Sequence, residues 1–275
     1  MAKFKKRLPQ YTVLLILTIV GLIIIIPYVW MILTSFRSTS EVLKNPGTMI
    51  PIEWTTKGYA KVLTQSPFFR WFANSLFIAV IVTTAVIFTS TITGFVFSKY
   101  RFKFKDTLFW IVLATMMVPY PTTMIPNFLI IDNLGLYDKI AALIIPALVS
   151  GFGIYLCRQF CDEIPDSLCE AALIDGAGPV RIYSSIIMPQ LKPCIAALGI
   201  FTFLESWNEY LKPLIMLSQV ENMTLPLALS FFSTQHNNDV SATMAASALI
   251  MIPVTVLLLV FQKQFIKGVA ITGMK

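Results

Sequence analysis

The sequence predicts an all-α, polytopic membrane protein that has six transmembrane helices and both termini in the cytoplasm. Of its 275 residues, 56% are hydrophobic and only 13% are charged, which is too apolar for a soluble domain of this size. Uncharged runs long enough to cross a hydrocarbon layer of about 30 Å recur along the chain. Because no linker, low-complexity tract or convincing repeat interrupts them, a single transmembrane domain over residues 1–275 is the simplest partition.

The first apolar run, Tyr11 to Leu33, follows Lys3, Lys5, Lys6 and Arg7. It is too long for a signal-peptide core, which has about 7–15 apolar residues. We therefore expect it to be retained as a span, with Pro27 as a candidate kink. The predicted spans cover about residues 11–33, 73–98, 107–131, 140–160, 194–217 and 240–262.

The distribution of basic residues predicts the orientation. Six spans place both termini on one side, and the segments on that side carry fourteen Lys and Arg against seven on the other side. Since cytoplasmic segments are enriched in Lys and Arg, both termini are predicted to be cytoplasmic. The same reasoning places the segment between the fourth and fifth spans, about residues 164–192, in the cytoplasm.

That segment contains two short helical patterns, and we call it the connector. Ser167 followed by Glu170 matches a capping box, and Gly176 suits a left-handed helix end, so the first helix is expected from about Leu168 to Asp175. A second helix can begin at Pro179 and continue to Pro189. Helices below about 12 residues are marginal alone in water. Both must therefore pack on their own domain or on another protein.

The motifs exclude several classes of chemistry. The chain has no GxxxxGK[ST] phosphate loop, no GxGxxG after a strand and no HExxH helix. Its cysteines form no CxxC pair and its single histidine, His236, is distant from them, so no metal site and no cofactor are expected in this chain; the cysteines are Cys157, Cys161, Cys169 and Cys194. No nucleic-acid signature is present. What remains is a channel, an ion-coupled carrier, a membrane enzyme, or the translocating subunit of a machine with a separate motor.

The connector carries a family resemblance. Glu170-Ala171-Ala172, then Gly176, and later Met188-Pro189 are spaced as in the cytoplasmic "EAA" loop of permease subunits of bacterial ATP-binding-cassette importers, although Met188 replaces the usual Leu. Further segments resemble the carbohydrate branch, of which the maltose-type permease is the familiar member. These are Arg70-Trp71-Phe72, Asn74-Ser75-Leu76, Ser206-Trp207-Asn208-Glu209-Tyr210 and the tail Gly268 to Lys275.

The resemblance implies a non-catalytic importer subunit in the bacterial plasma membrane, surrounded by lipid. Its partners would be a second related permease, two ATPase subunits that bind ATP and Mg²⁺, and an extracytoplasmic solute-binding protein that delivers a sugar. The first connector helix would be a coupling helix seated in an ATPase cleft. The coupling residues would be Glu170, Ala171, Ala172, Asp175, Gly176, Ala177 and Pro189. Whether Glu170 caps its helix or contacts the ATPase stays open. Leu225 to Leu227 would lie near the binding protein, and the tail along the ATPase.

The fifth span carries ionisable residues at helical spacing. Glu205, Asn208, Glu209 and Lys212 would form one stripe, with Glu205 near the bilayer centre. Such groups are costly in lipid and should face protein or water. They either line a sugar pathway, with Trp207 or Tyr210 offering an apolar face, or hold the helix against a partner through a Glu209–Lys212 pair and an interhelical Asn208 bond.

Other functions stay open at this point. The same machine could import a non-sugar solute such as glycerol phosphate or a polyamine. A membrane-embedded hydrolase or transferase could use Glu205 and Glu209 as acid and base, which would leave the connector pattern unexplained. An ion-coupled carrier relaying protons through Glu205 is a third alternative, although six spans without an inverted repeat are few for that class.

Overall fold

A computed structural model describes residues 8–234 and 239–272, and every regular element in these ranges is helical. His236, the four basic residues before Leu8, and Gly273 to Lys275 lie outside the described residues. The α-helices in chain order are α1 (Leu8–Ser35), α2 (Thr39–Lys44), α3 (Lys57–Thr64), α4 (Phe68–Lys99), α5 (Lys105–Met117), α6 (Tyr120–Asn133), α7 (Ala141–Ile144), α8 (Gly151–Asp162), α9 (Asp166–Ile174), α10 (Pro179–Ile182), α11 (Met188–Gln190), α12 (Lys192–Asn208), α13 (Leu211–Met216), α14 (Leu225–Thr234) and α15 (Val240–Thr272). A π-helix, Tyr183–Ile187, joins α10 to α11, and 3-10 turns cover Ile145–Ala147 and Val220–Asn222.

The membrane class is confirmed. In the described ranges, four stretches are helical, long and apolar enough to cross a bilayer: Tyr11–Ser35, Phe68–Lys99, Ala141–Asp162 and Val240–Val260. Two further pairs of helices qualify if each bent pair counts as one span, which gives between four and six. The described residues of α1 up to Tyr28 are largely exposed and apolar, as expected of a helix that faces lipid or another subunit.

The first bent pair is the predicted third span, and the second bent pair joins the second half of the connector to the predicted fifth span. The third is not one continuous helix, because α5 and α6 meet at 100°. Val118 between them is extended, which is the conformation favoured before a proline, here Pro119. In the fifth, α12 is bent by 76° from the helical stretch Pro179–Gln190, and it ends at Asn208 rather than near residue 217.

By Cα packing the chain forms two compact units. The first comprises the chain up to Phe68 together with Leu229–Ile252. Its long polar loop is ordered around the fully buried Arg37, which donates to Glu41 Oε1 at 2.7 Å, Thr48 O at 2.8 Å and Asn45 O at 2.9 Å. A buried guanidinium is stable only when its donors are satisfied in this way. The loop therefore has a defined shape.

The second unit comprises Phe69–Ala228 and Pro253–Lys275. Its core joins α4, α8, α12 and the second half of the connector through apolar side chains such as Val86, Leu198 and Ile187. The backbones of α4 and α8 approach closely at Gly94, where a Cβ atom would lie 2.6 Å from Cys157 Cβ. Small residues permit such close helix packing in membranes. This unit holds both the connector and the ionisable residues of the predicted fifth span.

Candidate functional sites: the connector and the cavity

The first connector helix begins earlier than the sequence predicted. α9 starts at Asp166, with Pro165 at the N-cap and no side-chain cap. The capping box of Ser167 and Glu170 is therefore wrong, because Ser167 already lies inside the first turn. Asp166 suits this position, since a carboxylate favours a helix N-terminus. The Glu170 side chain is exposed and does not cap the helix, so it is accessible to a partner.

The end of α9 is the turn that the sequence predicted. Gly176 has φ +78°, and Gly176 N–H donates to Leu173 O at 3.0 Å while Ala177 N–H donates to Ala172 O at 2.8 Å. This pair of bonds is a Schellman motif. A Cβ atom on Gly176 would meet nothing within 4 Å. The need for glycine therefore comes from the backbone conformation and not from lack of space.

The second connector helix begins at Pro179, as predicted, and contains the π-helix Tyr183–Ile187 just before Pro189. Proline cannot donate to the carbonyl four residues earlier and would clash with it. A wider π turn removes that conflict, and π turns inside α-helices often occur at functional sites. Ile182 and Ile187 are buried in the core and fix this half of the connector.

The turn between the two helices exposes apolar side chains. Ile174 is 86% exposed, Val180 80% and Leu173 58%, whereas the neighbouring Ala172 and Ile182 are buried. One face of the connector thus packs on its own domain and the opposite face presents an uncovered apolar tip. We call Leu173, Ile174 and Val180 the connector tip. Several exposed apolar side chains on one ordered turn are typical of a protein interaction site.

A cavity of about 190 Å³ lies elsewhere in the same unit. It is several times larger than the roughly 30 Å³ that one water occupies in the liquid. Its polar lining combines hydroxyl groups with two carboxylates and one ammonium. The lining residues with polar side chains are Ser150, Thr202, Glu205, Ser206, Glu209, Lys212 and Thr224, and the apolar ones include Ile78, Val82 and Val86 of α4.

The predicted stripe is not on one helix. α12 ends at Asn208, and Glu209 is extended, so Glu209 and Lys212 follow a break. The break has a sequence cause: Pro213 in a continuing helix would clash with the carbonyl of Glu209, four residues earlier. Glu209 Oε1 instead accepts from Leu211 N at 3.0 Å and Lys212 N at 3.3 Å, and Glu209 Oε2 lies 3.1 Å from Lys212 Nζ.

The remaining predicted pathway residues have different surroundings. Glu205 is exposed towards the cavity, and in the described ranges its carboxylate has no hydrogen-bond or ion-pair partner. Trp207 is fully buried and stacks on Phe203 at 5.7 Å between ring centroids, so it does not offer a face to the cavity. Asn208 donates to Leu204 O of its own helix rather than to another helix.

The loop that follows α13 is held by four residues for which no structural role was predicted. We call Trp71, Asn74, Ser75 and Asp138 the loop clasp. Trp71 Nε1 donates to Val220 O at 2.6 Å, Asn74 Nδ2 donates to Glu221 O and Met223 O at 3.0 Å each, and Ser75 Oγ accepts from Leu225 N at 2.8 Å. Asp138, at φ +57°, accepts from Ser218 N and Gln219 N.

The clasp fixes one wall of the cavity, because the clasped loop connects Lys212 and Pro213 to Thr224, all of which line it. Asp138 is well suited to this contact. Burial raises its pKa, but hydrogen bonds from Ser218 and Gln219 outweigh burial and hold the pKa below its usual range. Trp71, Asn74 and Ser75 belong to the segments that carried the family resemblance, and in the structure their side chains hold this loop.

No group of three His, Cys, Asp or Glu side chains close enough to hold a metal ion occurs in the described part of the chain. Cys157, Cys161, Cys169 and Cys194 are free thiols, and the sulfur atoms of Cys157 and Cys194 lie 3.7 Å apart.

Comparison with known proteins gives concordant results. Residues 85–271 match the family of binding-protein-dependent transport system inner membrane components. The chain is 31% identical to the arabinooligosaccharides transport system permease protein AraQ of Halalkalibacterium halodurans, over 93% of both chains. It is 32% identical to the sn-glycerol-3-phosphate transport system permease protein UgpE of Escherichia coli, over 83% of this chain and 84% of the relative.

A lactose transport system permease protein, LacG of Rhizobium radiobacter, is 27% identical over 98% of this chain and 97% of its own. Among solved structures, a chain of a bacterial ABC transporter involved in the import of the acidic polysaccharide alginate superposes with a TM-score of 0.82. That comparison covers 95% of this chain and 98% of the other at 24% identity, and it shows the fold. The chain therefore belongs to the family of inner membrane components of binding-protein-dependent transport systems, and it is a transport subunit of the ATP-binding-cassette importer class.

Proposed function

We propose that the chain is the membrane subunit of an ATP-driven importer of a sugar or oligosaccharide. It forms half of the translocation pathway with a second related permease. Two separate ATPase subunits bind ATP and Mg²⁺, and an extracytoplasmic solute-binding protein delivers the solute. The observation that carries this proposal is the connector tip, since Ile174 and Val180 remain 86% and 80% exposed on a turn fixed by a Schellman motif. An ATPase cleft would cover them.

The orientation belongs to the same proposal. With α5 and α6 together counted as the third span and α12 as the fifth, six spans put both termini and the connector in the cytoplasm and the long loop around Arg37 outside. A membrane-impermeant maleimide tests this in intact cells. We expect Ile50→Cys, in the long loop and 70% exposed, to be labelled in intact cells. Lys103→Cys, at an exposed position of the predicted cytoplasmic loop between α4 and α5, should be labelled only after the cells are opened. Labelling of Lys103→Cys in intact cells would contradict the proposed orientation.

The predicted contact of Leu225 to Leu227 with the solute-binding protein is revised. Leu225 and Leu227 are buried within the chain, so they do not present a surface to a partner. The contact with the solute-binding protein is instead proposed for the loop between α14 and α15, of which residues 235–238 fall outside the described ranges. The tail from Gly268 to Thr272 continues α15, and its predicted contact with the ATPase stays a proposal.

The charge of the cavity lining argues against an anionic solute, and its hydroxyl groups suit a sugar. Lys212 is paired with Glu209, whereas Glu205 has no partner in the described part of the chain. Two carboxyl groups therefore face one ammonium, which disfavours an anionic solute through like-charge repulsion. The hydroxyl groups of Ser150, Thr202 and the other lining residues can donate to and accept from sugar hydroxyls.

The specific alternative is glycerol phosphate, because a relative of 32% identity is a permease for sn-glycerol-3-phosphate. A hydrolase or transferase is not retained, since the family consists of transport components. Proteoliposomes that contain the complete complex distinguish the solutes: we expect ATP-dependent uptake of labelled arabinooligosaccharides or lactose to exceed uptake of glycerol phosphate and of spermidine. Preferential uptake of glycerol phosphate would refute the sugar proposal and support glycerol phosphate as the solute.

The connector tip provides the test of the ATPase contact. We expect Ile174→Asp to prevent co-purification of the ATPase and to abolish uptake, because it places a charge in an apolar cleft. Leu134→Asp is the matched control. Leu134 is also an aliphatic side chain that is 62% exposed, but it lies at the end of α6, far from the connector in sequence. Co-purification that survives Ile174→Asp and uptake that remains normal would refute the contact.

A further inference from the structure

The last residue of α4 holds the beginning of the connector. Lys99 Nζ donates to Asp166 Oδ1 at 2.6 Å and also to Ile164 O. The side chain of Lys99 is only 7% exposed, although that of Asp166 is 78% exposed. Lysines are rarely buried to this extent unless all their polar contacts are made by the protein. The ammonium group therefore ties the loop before α9 and the first residue of α9 to the end of α4.

The second half of the connector contacts the same helix about two turns earlier. Tyr183 Oη and Thr91 Oγ1 are hydrogen-bonded at 2.8 Å, and the Tyr183 ring lies 5.7 Å from the ring of Phe95. Thr91 is fully buried. One helix thus holds both halves of the connector, one through Lys99 and the other through Tyr183.

The same helix reaches the cavity and the loop clasp. Ile78, Val82 and Val86 of α4 line the cavity, about 20 to 30 Å along the helix from Lys99 at 1.5 Å per residue. Trp71 and Ser75, still further along, hold the loop that forms one cavity wall. α4 has no proline, and sharp helix kinks occur mostly at proline or at a local insertion. A displacement at Lys99 is therefore transmitted along a stiff element.

We propose that α4 carries the displacement of the connector to the cavity, and that Lys99 and Tyr183 are positioning residues that keep the connector attached to it. This inference rests on the proposed function, in which an ATPase moves the connector tip. Uptake per ATP hydrolysed measures the attachment directly, because this ratio does not depend on the amount of assembled complex.

The experiment uses the complete complex in proteoliposomes with three variants. Lys99→Met removes the charge and all donors, and we expect the uptake per ATP to fall at least fivefold while the rate of ATP hydrolysis changes less than twofold. Lys99→Arg keeps donors for both acceptors and should restore the ratio to within twofold of wild type. Lys103→Met is the matched control, since Lys103 is an exposed lysine of the same segment that has no ion pair in the described residues; its ratio should be unchanged.

A second attachment point keeps the inference testable if Lys99→Met fails to assemble. Tyr183→Phe removes one hydroxyl and keeps the ring, and we expect at least a twofold loss of uptake per ATP with normal assembly. Uptake and hydrolysis that decrease in parallel with the amount of complex, or an unchanged ratio in both variants, would overturn the inference. A wild-type complex without ATP-driven solute uptake would instead overturn the proposed function, so the two failures are distinguishable.

Discussion

The glycine at the end of the first connector helix allows a quantitative test of the coupling role. Gly176 has φ +78° and open space around its Cα. Gly176→Ala would therefore cause no clash, and its cost is that of holding alanine in the left-handed conformation, about 1–2 kcal/mol. Since about 1.4 kcal/mol is tenfold in an equilibrium constant, Gly176→Ala should weaken formation of the turn by roughly tenfold. Asparagine tolerates this conformation better and should remain close to wild type. Proline, with φ fixed near −65°, cannot form the turn and also removes the N–H bond to Leu173 O.

The assay is uptake per ATP hydrolysed in proteoliposomes, with co-purification of the ATPase as a measure of assembly. We expect the order wild type, Asn, Ala, Pro, with Gly176→Pro inserted in the membrane but uncoupled. Gly135→Ala is the matched control, because Gly135 has φ +65° and equally open space outside the connector; it should lower stability by a similar amount and leave the ratio unchanged. Normal uptake by Gly176→Pro would refute the coupling-helix assignment.

Three further predictions concern the cavity and the loops. Glu205→Gln keeps the shape and removes the charge, so uptake kinetics should show a raised KM or a changed solute preference with normal assembly, whereas loss of assembly would favour a structural role. Ser75→Ala leaves Leu225 N–H without its acceptor and should cost about 1–3 kcal/mol, visible as a lower Tm; an unchanged Tm would contradict the loop clasp. Burial raises the pKa of Asp239, but hydrogen bonds from Lys61 and Thr39 lower this pKa by a larger amount. The pKa in the folded protein therefore lies below its usual range. Its contribution to stability is therefore complete above the unfolded pKa of about 3.9 and is lost as the pH falls through the folded value; the thermal stability of Asp239→Asn should change less than that of wild type between pH 5 and pH 3.

Uninterrupted apolar runs indicate where a long, straight helix lies. The second predicted span, about 73–98, lies within α4, Phe68–Lys99. Hydropathy describes how apolar a segment is and not its direction, so it could not show the 100° angle between α5 and α6. The signal for that bend was Pro119, which restricts the residue before it.

The error in the fifth span has the same origin. Placing Glu205 and Lys212 on one helical stripe assumed a continuous helix, although Pro213 forbids it four residues after Glu209. Applied to Pro213, this rule would have predicted a break before residue 213, and the structure has that break at Glu209 and Tyr210, between α12 and α13. Glu209 and Lys212 then pair with each other at 3.1 Å after α12 has ended, and Glu205 is the ionisable lining residue that has no partner in the described part of the chain.

The loop clasp could not be derived from a single sequence. Trp71 and its acceptor are 149 residues apart in the chain, and Asp138 is 80 residues from Ser218. Local patterns report caps, turns and periodicity within a few residues, whereas the pairing of distant polar groups follows from how the helices pack. The connector was predictable for the opposite reason, because Gly176 and Pro179 act on their own backbone.

The connector tip is too small to hold an ATPase alone. Burying Leu173, Ile174 and Val180 contributes about 1.5–3 kcal/mol each, whereas a micromolar complex requires about 8 kcal/mol in addition to an association cost of about 4–15 kcal/mol. The remainder must come from polar contacts such as those available to the exposed Glu170, and from the connector of the sister permease. Ile174→Ala should therefore weaken ATPase co-purification several-fold without abolishing it, while Ile174→Asp abolishes it. Equal loss in both variants would mean that the tip is the whole contact, and that the role assigned to Glu170 is unnecessary.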